Sequence, residues 1–386
     1  AVGNNALDAN TTGADNVAMG YNTLSAVTTA SNNTAIGHKV LEDSTSGAQL
    51  VGLGGFALTN NTTGADSTAL GYGTLSSNTT GGQNTAVGRH ALNTNTTESY
   101  ITAVGYYALK DNTTGTKGTA VGSGSLQQNT TGDYNSALGQ SALYTNTTGS
   151  NNTGLGYRAL YTNNGSSNVA VGYDAGFAMT TGSNNTIMGS TAGDALTTGG
   201  MNVAIGQGAL GGTTTGNYNV AVGRAALSDL TTNDNNTAVG YAALNANTAS
   251  SNTALGYSAL SSNTTGAYNV AVGHVALDAN TTSSYLTAVG YDALGANTTG
   301  TENVAVGSEA LKTNTTGSYN TGLGHQAGEK ITTGESNVVI GARAGDELTT
   351  AGQNTIIGQG AASNGSTMDE NVLIGVNAGY NGNSVH

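Results

Sequence analysis

The chain contains no cysteine, no proline and no tryptophan, and only two phenylalanines among its 386 residues. Without cysteine it can form neither disulfide bonds nor thiolate metal sites. Charged residues make up 8% of the chain, whereas an ordinary globular protein carries about 25% of them together with about 5% proline. The composition therefore excludes an average soluble enzyme.

Two kinds of segment are also missing. No run of 18 apolar residues is present, so we expect no transmembrane helix and a protein that is not embedded in a membrane. No basic segment precedes an apolar run, so no signal peptide is expected. The sequence starts in mid-pattern at Ala1-Val2-Gly3, which favours a processed product or a piece of a longer protein.

Basic residues are scarce. Nine Lys and Arg stand against 22 Asp and Glu, giving a net charge of −13. A chain with this charge should not follow a phosphate backbone, so no nucleic-acid partner is predicted. The acidic residues are scattered rather than in blocks, which indicates a role in solubility.

Instead, the sequence is filled by one short repeat. Residues 84–97 read NTAVGRHALNTNTT and residues 101–114 read ITAVGYYALKDNTT. We take the glycine after Ala-Val as the anchor and number positions from it, so that +4 lies four residues after the anchor and −1 just before it. Of the 22 intervals between 23 anchors, 20 span 17 residues and two span 16. The anchors are residues 3, 20, 37, 54, 71, 88, 105, 122, 139, 156, 172, 189, 206, 223, 240, 256, 273, 290, 307, 324, 341, 358 and 375.

This period predicts the fold class. It is shorter than the 33 to 47 residues of helical repeats, and Gly, Asn and Thr are poor helix formers. Asn-Thr-Ala-Val-Gly is suited to a short strand, and Asn-Thr-Thr-Gly to a turn. We therefore predict an all-β parallel β-solenoid of about 23 coils, with two short strands per coil and a thin core of Ala, Val and Leu. At about 4.8 Å per coil the rod would be roughly 110 Å long. It would form a single continuous domain over residues 1–386, uncapped at both ends.

One internal substitution pattern suggests a packing rule. Most repeats have Leu at +4 and often Asn at +7, as in Leu143 and Asn146. Four repeats instead have Gly at +4 and an apolar residue at +7. We infer that the two positions flank one corner and that only one of them supplies the core side chain. The four exchanged pairs are Gly176 with Met179, Gly193 with Leu196, Gly328 with Ile331, and Gly345 with Leu348.

The anchor segment, for example Thr119-Ala120-Val121-Gly122 and Asn269-Val270-Ala271-Val272-Gly273, resembles the head repeat of YadA-like trimeric autotransporter adhesins. The longer form with Ala-Leu and Asn-Thr-Thr-Gly is similar to repeats of bacteriophage tail-fibre proteins. The resemblance covers all 23 repeats and implies a left-handed β-roll and a trimer. It departs from the adhesins in its longer repeat, and no coiled-coil stalk, membrane anchor or chaperone domain is recognised in the chain.

Histidine is the first candidate for binding chemistry. His38, His274 and His325 occupy +1 on distant coils, and His90 and His386 lie elsewhere. A trimer could bring three copies of one histidine together as a metal site needs, but solvated turn residues are the favoured interpretation. No recurring acid pair, phosphate loop or calcium repeat is found. The chain is thus predicted to be no enzyme, with no catalytic, cofactor-binding or metal residues and no cofactor.

Tyrosine forms two columns, which we interpret as ring-on-ring packing or a subunit interface, with a sugar-binding platform as the alternative. Position +1 holds Tyr21, Tyr72, Tyr106, Tyr157, Tyr173, Tyr241, Tyr257 and Tyr291. Position +12 holds Tyr100, Tyr134, Tyr218, Tyr268, Tyr285 and Tyr319.

The Asn-Thr-Thr segments are open to two further interpretations. Each is formally an N-glycosylation site, although turn chemistry explains it without sugar. Its threonines, at +8 and +9, form a ladder of the kind that ice-binding solenoids present, but breaks such as Asn163-Asn164-Gly165 argue against that use. The segments start at Asn10, Asn61, Asn78, Asn95, Asn112, Asn129, Asn146, Asn263, Asn280, Asn297 and Asn314.

These observations favour a structural fibre protein, a rigid shaft or head segment of a trimeric tail fibre or surface adhesin. Its expected location is extracellular or on a virion surface, and its expected partners are copies of itself and a cell-surface receptor such as a glycan. The alternative is a filament subunit that stacks head to tail. An ice- or carbohydrate-binding solenoid is a third hypothesis.

Overall fold

The computed structural model describes residues 1–364 and 368–379. The chain divides into two compact units, Ala1–Thr198 and Gly199–His386. Each unit is a β-solenoid with parallel strands, built on the 17-residue repeat, and no helix is assigned in the described residues. The predicted all-β parallel β-solenoid is confirmed, with 22 strands in place of about 23 predicted coils. The left-handed sense and the trimer remain predictions.

Each coil contributes one strand of three residues that ends just before an anchor glycine. The first unit contains β1 (Val17–Met19), β2 (Thr34–Ile36), β3 (Val51–Leu53), β4 (Thr68–Leu70), β5 (Thr85–Val87), β6 (Thr102–Val104), β7 (Thr119–Val121), β8 (Ser136–Leu138), β9 (Thr153–Leu155), β10 (Val169–Val171) and β11 (Thr186–Met188). The second contains β12 (Val203–Ile205), β13 (Val220–Val222), β14 (Thr237–Val239), β15 (Thr253–Leu255), β16 (Val270–Val272), β17 (Thr287–Val289), β18 (Val304–Val306), β19 (Thr321–Leu323), β20 (Val338–Ile340), β21 (Thr355–Ile357) and β22 (Val372–Ile374).

The strands pair residue for residue, so that alanine lies on alanine from coil to coil. In β6 and β7, Ala103 is the partner of Ala120 and Val104 is the partner of Val121. The register is also kept across a 16-residue coil, where Thr153 pairs with Val169. The missing residue is therefore taken from the turn and not from the sheet.

The predicted second strand of each coil is wrong. Positions +2 and +4 carry positive φ angles, such as 59° at Tyr107 and 48° at Leu109, whereas β-strands need negative φ. The backbone there forms a turn that bonds to both neighbouring coils. The amide of Tyr107 donates to Arg89 O in the preceding coil (3.1 Å), and that of Leu109 donates to Ser125 O in the following coil (3.0 Å). The turn side of each coil is thus hydrogen-bonded to both neighbouring coils, although it forms no β-strand.

The apolar core is formed by three side chains per coil. Ala120 at the strand centre, Ala142 at +3 and Leu143 at +4 are all fully buried. The valine of the Ala-Val-Gly segment, which we predicted to be in the core, points the other way, as Val121 shows by its partial exposure. Alternation along a strand explains this, because the first and third residues of three face outward when the central residue faces the core.

Asparagine fills the rest of the interior. At +7, Asn129 Nδ2 donates to Asn112 Oδ1 of the preceding coil (2.8 Å) and to Gly132 O of its own turn (3.0 Å). The amide oxygen of each residue accepts from the next coil, except at Asn146 and Asn314, where a run of asparagines ends. The side chains thus form a ladder parallel to the stacking direction. The +7 ladder consists of Asn61, Asn78, Asn95, Asn112, Asn129 and Asn146 in the first unit and Asn247, Asn263, Asn280, Asn297 and Asn314 in the second.

A second ladder runs through position +13. Asn135 Oδ1 accepts the backbone amide of Asn152 (2.9 Å), and Asn135 Nδ2 donates to Gly149 O (2.7 Å). Both residues are almost fully buried. Buried amides that have all their partners act as a specific spacer between coils, whereas an unpaired one would cost about 1–3 kcal/mol.

The packing rule for +4 and +7 is correct at the four exchanged coils. At Gly328, an added Cβ would lie 2.9 Å from both Ile331 Cδ1 and Leu311 Cδ2, so the apolar +7 residue occupies the space of the missing leucine. The rule is wrong as a general statement, since Leu227 and Leu230 are both fully buried in one coil. Position +7 accepts a side chain of about asparagine size whatever its polarity.

Exchanging the pair at 328 and 331 tests this interpretation. Asn314 Oδ1 is buried without a partner, because Ile331 occupies the next +7 position and cannot donate. Ile331→Asn alone should leave a cavity, and Gly328→Leu alone should overpack the corner. The double variant should restore both the leucine and the ladder. We expect a favourable coupling of about 1–3 kcal/mol in a double-mutant cycle measured by denaturant unfolding. Strict additivity of the two changes would contradict the shared-space interpretation.

Candidate functional site

The outer face of the sheet carries a column of aliphatic side chains. The third residue of every strand is Val, Leu, Ile or Met, and none of these residues is buried. We call this column the aliphatic stripe, and it has one segment in each unit. Its members are Met19, Ile36, Leu53, Leu70, Val87, Val104, Val121, Leu138, Leu155, Val171 and Met188 in the first unit, and Ile205, Val222, Val239, Leu255, Val272, Val289, Val306, Leu323, Ile340, Ile357 and Ile374 in the second.

The surroundings of the stripe are also uncharged. The first residue of every strand is Thr, Val or Ser, so no outward position of the 22 strands carries a charge. Eleven strands at about 4.8 Å make a segment about 50 Å long in each unit, which gives roughly 500 Å² for a width of about 10 Å. Such a patch is at the upper end of what monomeric proteins expose and is typical of an interaction surface.

Parts of both tyrosine columns pack ring on ring, as predicted. Tyr241 and Tyr257 stack at 5.2 Å with an interplanar angle of 9°, and Tyr268 and Tyr285 stack at 5.3 Å and 5°. Their exposed fractions are 44–60%. In such stacks each ring covers its neighbour's face and presents mainly its edge to solvent. A regular column is therefore a poor platform for sugars, which need an open ring face.

Two of the histidines, His38 and His274, stack in the +1 column, which we did not predict from the sequence. His274 stacks between Tyr257 (5.0 Å) and Tyr291 (5.6 Å), and His38 stacks on Tyr21 (5.5 Å). The signal was present in the sequence, but it appears only when all aromatic residues at +1 and +2 are taken together.

His90 lies at +2 against Tyr72, with ring centroids 5.5 Å apart. Burial, followed by the charges of Arg89 and Lys110, lowers the pKa of its imidazole. His325 lies beside a polar cleft with Arg343 and Asp346, and His386 falls outside the described residues. Within residues 1–364 and 368–379, no group of three or more His, Asp or Glu side chains is placed to hold a metal ion.

The glycosylation hypothesis conflicts with the structure at ten of the eleven Asn-Thr-Thr segments. Asn61 through Asn314 in that set are at most 2% exposed, and their amide nitrogens are hydrogen-bonded in the +7 ladder. A glycan could not be attached there without opening the solenoid. Asn10, which is partly exposed, is the exception.

The threonine ladder is less broken than we inferred. Position +8 is Thr in 20 of the 21 described coils, with Asn164 as the exception. Most of these hydroxyls donate to the backbone of the next coil, as Thr113 Oγ1 does to Thr130 O (2.9 Å). The +8 column therefore holds coils together.

The scan against protein-family models gives no match for this chain, and no curated protein is similar to it at a significant level. In the part of the chain that the structure describes, no helix is long and apolar enough to cross a membrane.

Proposed function

We propose that this chain is a segment of a trimeric extracellular fibre, of the tail-fibre or surface-adhesin kind, that attaches to a cell surface. The observation that supports this most strongly is the aliphatic stripe, an uncharged apolar column on the outer sheet face of both units. Burying it between chains would remove apolar surface from water at about 25 cal/mol per Å². The number three comes from the resemblance of the repeats to adhesin heads and tail fibres.

The interior of the solenoid supports a mechanical role. Each coil is joined to the next by backbone bonds on the strand side and the turn side, and most coils are joined also by buried asparagine side chains and threonine hydroxyls. Such a stack is stiff without disulfides or metal ions. We infer that it serves as a spacer and carrier, and we propose no enzymatic activity for it.

Two charges placed on the stripe test the assembly. Val104 and Val121 are adjacent members of the stripe, and Val104→Asp with Val121→Asp would place two unpaired carboxylates in the interface, at several kcal/mol each. Light scattering should give three times 38.0 kDa for the wild type and 38.0 kDa for the double variant.

The matched control is Thr114→Asp with Thr131→Asp, which adds the same charges to the exposed +9 column of the same two coils. It should keep the trimer mass. A wild type that is monomeric at micromolar concentration, or a stripe variant that keeps the trimer mass, would contradict the proposal. Open-ended polymers of uniform width in electron micrographs would instead favour the head-to-tail filament.

A further inference from the structure

The aromatic column of the first unit is irregular between His38 and Tyr107, and Tyr72 lies in the middle of this stretch. There the ring planes of Phe56 and His90 make angles of 75° and 82° with that of Tyr72, whereas rings in the regular stacks are within about 22° of parallel. Neither Phe56 nor His90 stacks flat on the Tyr72 ring, so Tyr72 lacks the parallel ring contacts that the regular stacks have on their faces.

Two glycines leave room for this arrangement of rings. Gly55 occupies +1 in the preceding coil, a position that is tyrosine in eight other coils. The Tyr72 ring lies over Gly55, and its Cδ2 is 3.4 Å from the place that a Cβ of residue 55 would take. Gly73 occupies +2 next to Tyr72, and the His90 ring fills that space, since a Cβ at Gly73 would lie 2.5 Å from His90 Nδ1. Each missing side chain leaves a space into which the ring of the following coil packs.

The result is an open cleft of about 320 Å³, which we call the Tyr72 cleft. Its lining combines the aromatic rings of Phe56, Tyr72 and His90 with the polar side chains of Thr59, Asn60 and Ser76. Its volume lies at the lower end of the range for small-molecule sites, which is about 300–1,000 Å³. The cleft shares no residue with the aliphatic stripe, so assembly through the stripe uses other side chains.

The charges at the cleft are unusual for this acidic chain. None of the lining residues is acidic, and the Arg89 guanidinium carbon lies 6.0 Å from the centre of the Tyr72 ring. Asn93 supports the cleft, since its Nδ2 donates to Gly73 O (2.8 Å) and Ser76 Oγ (2.6 Å) and lies 3.4 Å from His90 Nδ1. An aromatic face, hydroxyl and amide groups and one nearby cation therefore meet in a supported site.

We propose that the Tyr72 cleft binds one pyranose ring of a surface glycan, with a preference for a sugar that carries a carboxylate. The C–H face of the pyranose packs on the Tyr72 ring, its hydroxyls bond to Asn60 and Ser76, and its carboxylate pairs with Arg89. This inference rests on the proposed attachment function and names the ligand class and the place of binding.

The test measures binding of the full chain to an array of neutral and acidic pyranosides, followed by titration with methyl glucuronide and methyl glucoside. We expect millimolar binding, with the glucuronide bound several-fold more tightly. Tyr72→Ala should weaken binding at least tenfold. Gly55→Tyr should do the same by restoring a ring at +1 and pushing Tyr72 upright. Arg89→Gln should abolish the preference for the acid.

The control is Tyr291→Ala, which removes an equally exposed ring from a regular column and should change binding less than twofold. Circular dichroism and light scattering check that each variant keeps its fold and mass. Absence of glycan binding by the wild type, or equal binding by wild type and Tyr72→Ala, overturns the inference. If the wild type is a trimer that adheres to cells with the cleft variants unimpaired, the proposed function stands and the cleft assignment fails. If a monomer binds sugar through Tyr72, the reverse is true.

Discussion

Replacing Gly122 by alanine is expected to open the solenoid locally and to lower its free energy of unfolding by about 3 kcal/mol or more. Gly122 has a φ of 135°, which is accessible almost only to glycine. A Cβ there would lie 2.4 Å from the carbonyl oxygen of Gly139, the next anchor. The added methyl group therefore faces both backbone strain and a clash with backbone that cannot move without breaking the adjacent strand pairing.

Gly118→Ala is the matched control, since it is the same substitution at the other end of strand β7. The nearest atom to a Cβ at Gly118 is Leu109 Cδ1 at 3.5 Å, which is an ordinary contact, so its stability should change by less than about 1 kcal/mol. Hydrogen exchange should show lost protection in the coils next to Gly122 only, because each coil contacts only its neighbours. If Gly122→Ala melts like the wild type, anchor packing does not explain why glycine recurs.

The second large effect is expected for Asn129→Asp in the +7 ladder. The carboxylate would lose the donor that Asn129 offers to Asn112 Oδ1 and Gly132 O, and would face both of these acceptors while buried. We expect a loss of about 3–5 kcal/mol at neutral pH. Asn151→Asp is the control, because position +12 is exposed and already holds Asp15 and Asp66 with similar φ angles.

The pH dependence gives this prediction a direction. Burial among acceptors should raise the pKa of the new carboxyl in the folded state above its unfolded value. Its penalty is therefore small below the unfolded pKa and grows as pH rises through the folded pKa. Thermal melts should show Asn129→Asp close to the wild type near pH 4 and far below it near pH 8. A difference from the wild type that does not change with pH would show that the ladder tolerates the charge.

The strands and the coil period were predictable because they depend on local chemistry. Asn-Thr-Ala-Val-Gly is a short run suited to a strand, and Asn-Thr-Thr-Gly is a turn sequence. Which side chains of each strand point into the core was not predictable in the same way. Alanine and valine are both apolar, and only the narrow interior decides that Ala120 is inside and Val121 outside.

The asparagines and the Tyr72 cleft could not be predicted for a different reason. Asn129 is acceptable in the interior only because an identical amide lies one coil away, so its partner is 17 residues distant. In a single repeat the same residue is an ordinary turn former. The cleft depends on Gly55 and Gly73, whose effect appears on Tyr72 and His90 in the following coils.

The residue-for-residue register also bears on how such a molecule changes during evolution. Since each coil offers the next the same set of partners, whole repeats can be gained or lost by recombination between similar coding segments without disturbing those that remain. Each event would alter the length by about 4.8 Å, whereas the 16-residue coils show that smaller changes are absorbed in the turn. The length of such a solenoid can therefore change in steps of one coil, while the side chains that a given coil exposes stay the same.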